Sequence, residues 1–443
     1  MSALGSCGLP RDGEEGSDEP KSTPAVVVAA LTWGCGGPSG EVASDADPSP
    51  EALLEQARAI HERVLVLDAH ADTELADAPS PYVGDDGLSQ VDPAKLHAGG
   101  VDAVVMSVAV GSGPRTPEGY AAARSRADEE VAAVLELAAD HANNAVIARS
   151  ADEIVAAHEQ GEVALILGFQ NGMILGTDVS ALDDFYAAGA RVFALTHLGN
   201  NDFADSSRPV FDGATGTHEG AEHGGLSHLG VAAIQRINAL GGIVDVSQLS
   251  RDAVLQVLET STAPVIASHS NVRQLTEATR NLTDEEIDGI GAIGGVIHVC
   301  PFRGYLFDSA DKDLDAAIRE ARRAAGVLED YLYPFELYWE IDDPDARSAF
   351  TQAISDLLGP GSVDSMLDHL DYIVDRIGVD HVGIGSDFNH GGGVEGFADA
   401  SEALGVTVGL LERGYSEEDV AKIWGGNFLR VLRAAEAGRT SAE

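Results

Sequence analysis

The stretch "DAHADT" sets His70 and Asp72 two residues apart, a spacing that in an extended strand turns both side chains to one face, where they can share a metal ion. Taken alone, such a pair is a weak signal and reads rather as a hydrogen-bonded loop; it is the company of the other strand-end residues that points to a metal. Further along stand Gln170 beside Asn171, then His197, Gln248, His269 in "ASHSN" and Asp387 in "GSDFNH". Carboxylate and imidazole without thiolate suit Zn²⁺ or Mn²⁺ over a soft metal. An ion held by such groups lowers the pKa of water and polarises a carbonyl, the two requirements of amide hydrolysis, with Asp387 or His269 shuttling the proton. His218, His223 and His228 recur at intervals of five in a Gly-rich loop. That spacing matches no helix face, and a mobile loop near the mouth of the site is expected there rather than a second metal site. His390, followed by three glycines, either lines the pocket or sits in a solvated turn.

These residues share an address. Eight nearly all-apolar runs, near 64–69, 101–108, 163–169, 191–196, 242–247, 264–268, 294–299 and 381–386, alternate with helical patterns such as "EEVAAVLELAADHA". Short runs of this kind are what parallel strands covered on both faces require. The alternation over residues 51–443 predicts an α/β fold, a (β/α)₈ TIM barrel, with a doubly wound open sheet as the alternative. No Gly-rich phosphate loop follows the first strand, as the open sheet would favour. In a barrel the C-terminal strand ends face the active-site mouth, so six of the eight runs present a polar side chain there. Residues 308–362 interrupt the pattern as a helical insert between strands seven and eight. They read as a lid or homodimer contact over one barrel face, or as helices that enlarge the outer ring.

The 443 residues include 27 Lys and Arg against 73 Asp and Glu, a formal charge of −46. Such a chain repels nucleic acid and anionic lipid head groups, and the acidity itself reads as a solvated surface. Three cysteines are too few for a disulfide scaffold. Residues 1–50 read as a signal-like segment and flexible tether. Within them "KSTPAVVVAALTWGCGG" resembles a bacterial lipoprotein signal with Cys35 as the lipid-modified residue, which implies the cell envelope. The acidic stretch before it and the bulky Trp33 depart from that pattern, so a disordered tail on a cytoplasmic protein is the alternative.

Over about residues 55–435 the chain resembles the membrane (renal) dipeptidase family, zinc peptidases of family M19 with amidohydrolase-like barrels. The resemblance is carried by "LDAHADT", "GGLSHLGVAAIQRINALGGIVDVSQLS", "APVIASHSNVR", "TRNLTDEEI", "DHLDYIVDRIGVDHVGIGSDF" and "LLERGYSEEDVAKIWGGNFLRVL". It implies metal-dependent hydrolysis of dipeptides or similar small amides with a free carboxylate. By this likeness His70, Asp72 and Asp387 match the ligands of a first zinc and His269 a ligand of a second. His197 matches the histidine over the scissile group, and Arg280 the arginine that receives the substrate carboxylate. Two positions depart from the pattern: the bridging glutamate is Gln170, and a histidine of the second zinc is Gln248. A neutral amide offers one good acceptor oxygen and a nitrogen that donates. Both glutamines are therefore weak ligands at most, and the expectation is one tightly bound Zn²⁺ with the second absent or labile. A mononuclear hydrolase of N-acyl amino acids or lactones, or a non-catalytic barrel with a degraded site, are the alternatives. The tyrosine that the family uses after strand seven is left unassigned within "VCPFRGYLF".

Overall fold

The computed structural model describes residues 49–440 apart from 76–78, 85, 213–214, 333, 335–340 and 342. The lipoprotein-like segment with Cys35, and most of the insert's aromatic patch, lie outside the described residues.

Eight parallel strands follow one another in chain order: β1 Leu67–Asp72, β2 Ala103–Ala109, β3 Val163–Gln170, β4 Ala190–Ala194, β5 Ile243–Asp245, β6 Ile266–Ala267, β7 Val296–Val299 and β8 Val382–Ile384. Every residue of β3 is buried, as its unbroken apolar run requires. The ring closes between β8 and β1: Asp387 donates its N–H to the His70 carbonyl at 2.9 Å, and Asp72 donates to the Phe388 carbonyl at 2.9 Å. This is the expected barrel, and the closure excludes the open sheet. The strands match the eight apolar runs, with two additions. Ala145–Ile147 pairs on the outside of β3, and Phe211–Asp212 pairs with Thr217–His218 as a small hairpin.

Helices return the chain between strands and begin where the sequence supplies a cap. Asp92, Thr116, Ser150, Ser227, Ser250 and Ser362 each accept an N–H of the first helical turn, worth about 1 kcal/mol apiece. Thr283 and Glu286 form a reciprocal capping box. The insert holds two helices, Lys312–Ala324 and Pro344–Leu358, around a small core of Phe307, Ile318, Ile341, Phe350 and Ile354. Among the described residues no helix is long and apolar enough to cross a membrane.

Two local features aim side chains at the mouth. The pairing of β1 with β2 shifts register between Asp68 and Ala71, and such an irregularity re-aims the residue inside it, here His70. Beyond β8, a Cβ on Gly385 would lie 1.9 Å from the Ser268 carbonyl oxygen. Only glycine lets the two strand exits approach so closely, which brings Asp387 towards His269.

Asp68 staples the seam from below. Its Oδ1 accepts the N–H of Ser386 at 2.7 Å and of His70 at 3.1 Å, and burial pushes the carboxyl up to about 6. Asp68→Ala leaves two buried N–H groups unpaired and is expected to lower unfolding free energy by about 2–4 kcal/mol, read by denaturant titration. Asp68→Asn keeps an acceptor oxygen and should cost clearly less. Equal losses in both variants would show that the seam does not depend on this oxygen.

Candidate functional site

His70 and Asp72 end β1, His269 lies two residues past β6, and Asp387 lies three past β8. The alternation of a strand puts His70 and Asp72 on one side: His70 Nε2 stands 3.3 Å from Asp72 Oδ1 and 3.9 Å from Asp387 Oδ1. The His269 ring stacks on that of His70, centroids 3.8 Å apart and planes at 19°. His70, His269 and Asp387 are all buried, with donor atoms within 4.8 Å of one another, and among the described residues this is the one cluster of three such groups. Asp72 also faces away from the cluster, with Oδ2 2.9 Å from His390 Nδ1. His390 thus lines the pocket instead of sitting in a solvated turn.

A buried serine and carboxylate behind the rings set their tautomers. Ser268 Oγ lies 2.5 Å from Asp245 Oδ2, 2.8 Å from His269 Nδ1 and 3.4 Å from His70 Nδ1. With the hydroxyl donating to Asp245, its oxygen accepts from His269 Nδ1–H, which leaves the Nε2 lone pair of His269 turned to the cluster. Nothing in the local sequence marks Asp245 or Ser268. They are found only when β5 and β6 lie side by side.

The two glutamines stand at the same mouth. Gln170 is 1% exposed, and neither its Oε1 nor its Nε2 has a hydrogen-bond partner. Gln248 places Nε2 3.1 Å from His269 Nε2 while its Oε1 is unpartnered. Gln248 and Asp387 have φ of 66° and 55°, and Asn171 and Asn389 are likewise positive. Left-handed backbone away from glycine costs on the order of 1 kcal/mol per residue and collects at functional sites.

The donor set fits a metal ion. Two ligands of a tetrahedral ion at about 2.0–2.1 Å lie roughly 3.3 Å apart, which is the separation of His70 Nε2 and Asp72 Oδ1. Both atoms are buried and lack a hydrogen-bond partner.

A cavity of about 420 Å³ opens beside the cluster, lined by Asp72, Glu74, Glu130, His197, Arg208 and His390 among others. Burial, aided by the charges of His390 and Arg208, holds the His197 imidazole well below its usual range, so it is neutral, and its Nδ1 has no partner. Arg280, 2% exposed, gives Nη1 to Ser270 Oγ at 2.8 Å and Nη2 to the His269 carbonyl. Its guanidinium carbon lies 5.7 Å from the ring of Tyr305. Glu130, on helix Pro117–Ala139, looks in sequence like one more acidic residue of a solvated face. It is 3% exposed and takes the Ala109 N–H at 2.7 Å and Arg126 Nε at 2.6 Å.

Among the described residues His218, His223 and His228 form no cluster of metal-binding groups, and part of the loop that carries them is tied down by Asp205. Asp205, 2% exposed, accepts the N–H groups of Glu222, His223 and Gly225. His223 Nε2 lies 2.8 Å from the Asn201 carbonyl, His218 packs on Phe211, and His228 opens helix His228–Leu240.

Residues 54–443 match the family described as membrane dipeptidase, peptidase family M19. Dipeptidase tcpJ of Claviceps purpurea is 30% identical over 294 residues, which are 66% of this chain and 55% of that relative. The chain thus spans little more than half the length of that protein. Dipeptidase ataJ of Aspergillus terreus is 27% identical over 90% of this chain and 91% of its own. The crystal structure of the probable dipeptidase PvdM from Pseudomonas aeruginosa superposes with a TM-score of 0.78 at 34% identity, over 88% of this chain and 100% of that one. A metallo peptidase from Rhodobacter sphaeroides, liganded with a phosphinate mimic of the dipeptide L-Ala-D-Ala, shares the fold at a TM-score of 0.63 and 22% identity, over 84% of this chain and 99% of that one.

Glu130 makes the site pH-sensitive. Burial outweighs the charge and hydrogen bond of Arg126 and pushes its carboxyl from 4.5 up to about 8. The folded state therefore favours the protonated form, and the stability gained is complete below the unfolded pKa and lost as pH rises through about 8. Unfolding free energy, measured by denaturant titration from pH 5 to 9, should fall less steeply in Glu130→Gln than in the unaltered protein. Parallel curves would refute a protonated Glu130.

Proposed function

The chain belongs to the membrane dipeptidase family, peptidase family M19, and from that premise we propose that it is a metal-dependent dipeptidase, hydrolysing the amide bond of dipeptides or similar small amides that carry a free carboxylate. The observation that carries this reading is the buried cluster of His70, His269 and Asp387 next to Asp72, which lines a cavity of about 420 Å³, within the range of small-molecule sites.

His70, Asp72 and Asp387 would hold one Zn²⁺, with His269 beside them. When bound, the ion supplies Lewis-acid polarisation of the scissile carbonyl and lowers the pKa of water. The side chains do the rest. Ser268 and Asp245 hold the His269 ring in one tautomer. Asp387, pinned by its backbone to His70, and His269 are the groups that hold and pass the proton between water and the leaving amine. Neutral His197 lines the cavity and can give a hydrogen bond to the oxygen that gains charge. Arg280 is the arginine that the family resemblance assigns to the substrate carboxylate.

One ion per chain is part of the proposal. The amide nitrogen of Gln248 faces the His269 lone pair, and an amide at Gln170 lacks the charge of a bridging carboxylate. A lipid anchor at Cys35 and a homodimer contact through the insert also belong to this reading, on the sequence alone.

Elemental analysis after purification without chelator should give one zinc per chain, and a chelator should abolish dipeptide turnover. Gln170→Glu combined with Gln248→His should raise the count to two. A protein without metal would sink the enzyme reading, and two ions in the unaltered chain would sink the account of the glutamines. Asp387→Asn should lose at least about 100-fold in kcat.

A further inference from the structure

A buried chain of hydrogen bonds runs from the end of β5 to the cluster, and its direction is set at the first link. Asp245 Oδ1 accepts the N–H groups of Ser247 at 2.9 Å and Ser268 at 3.0 Å, and its Oδ2 accepts the Ser268 hydroxyl at 2.5 Å. A hydroxyl has one proton to give. Ser268 Oγ therefore accepts from His269 Nδ1, 2.8 Å away, and the bare Nε2 of that ring accepts from Gln248 Nε2 at 3.1 Å. This orients the amide of Gln248. Its nitrogen is turned to His269, and its Oε1 is left as an acceptor, buried and without a hydrogen-bond partner.

The backbone holds that oxygen in place. Gln248 is 3% exposed with a φ of 66°, and its carbonyl accepts the Ser207 N–H at 2.9 Å and lies 3.2 Å from Ser206 Oγ. Native structures almost always satisfy a buried acceptor, because leaving one unpaired is costly. The polarity of the chain says what satisfies this one: a donor, so neither a carboxylate nor a carbonyl of a ligand. Gln170, 1% exposed at the same mouth, adds a second unpartnered amide whose Oε1 is also free to accept. On a dipeptide the free amino group is the donor that matches. As an ammonium it offers three N–H groups and no acceptor, and its hydrogen bonds are charge-assisted, whereas the scissile amide has a single neutral N–H.

We propose that Gln248, oriented by Asp245 through Ser268 and His269, receives the free amino group of the substrate on its Oε1 and so makes the site prefer dipeptides to N-acyl amino acids. The carboxylate, at the opposite end of the dipeptide, stays with Arg280. This rests on the dipeptidase reading for the identity of the substrate, and not for the polarity of the chain that ends at Gln248.

The test compares alanyl-alanine with propionyl-alanine, which keeps the acid and the scissile amide and lacks only the amino group, on the full, metal-loaded chain. The unaltered protein should prefer the dipeptide. Gln248→Met keeps the length of the side chain and removes the acceptor. In it the ratio of kcat/KM values, dipeptide over acyl compound, should fall at least about tenfold, mainly through KM for the dipeptide. Gln248→Glu keeps an acceptor oxygen and adds a charge, should raise the ratio, and serves if the methionine variant melts early. A ratio unchanged in both variants overturns the assignment, whether the oxygen then holds a buried water or the scissile N–H that both probes carry. Equal turnover of the two probes by the unaltered protein overturns it as well. If the unaltered protein hydrolyses neither probe, the dipeptidase reading falls and calorimetric affinities for the same two probes decide. A dipeptide that binds no more tightly than propionyl-alanine, or that loses nothing in Gln248→Met, then overturns the role of Gln248.

Discussion

Two backbone hydrogen bonds between the first and last strands carry the rest of the structure. They run from Asp387 to the His70 carbonyl and from Asp72 to the Phe388 carbonyl, each 2.9 Å long. Without them the eight short strands would form an open sheet with two exposed edges; with them the ring has none. The residues that close it are also the residues with metal-binding chemistry, so the spacing of His70, Asp72 and Asp387 follows from the fold itself. Asp68 beneath the seam and Asn389 above it, whose Nδ2 donates to the Asp72 carbonyl at 2.8 Å, hold the closure from both sides.

The site concentrates unfavourable features that the surrounding structure offsets. Four non-glycine residues at the mouth adopt positive φ, and several buried donors lack hydrogen-bond partners. Elsewhere in a protein each would be a defect. Here the strained turns swing Gln248 and Asp387 inwards, and the unpartnered atoms point to where an ion or substrate would sit. Asp245 and Ser268 supply the opposite quality, a fully bonded layer that keeps the His269 ring from turning.

Charge is divided between outside and inside. The surface is acidic, whereas the cavity mixes Asp72, Glu74 and Glu130 with Arg126 and Arg208. Burial acts in opposite directions on these groups, driving the Glu130 carboxyl towards its neutral form and keeping the His197 imidazole neutral. The two glutamines extend this pattern, since each places a neutral amide where a carboxylate or imidazole would strengthen ion binding.

What the sequence determined by itself was local. Eight apolar runs specify eight strands, because burial on both faces of a parallel strand is written into adjacent residues. The two-residue spacing of His70 and Asp72 puts them on one face for the same reason. That positions 170 and 248 carry neutral amides is visible without coordinates, since it concerns residue type alone. Tertiary structure decided everything that depends on the paths of loops and on distant segments meeting. It turned Asp72 towards His390 while His269 joined His70 and Asp387. It brought Asp245 and Ser268 behind the rings, buried Glu130 from an acidic helix, and carried Arg208 into the cavity from the loop between β4 and β5. None of these has a periodic signal, because each contact joins residues far apart in the chain, and only the closure of the barrel sets where they meet.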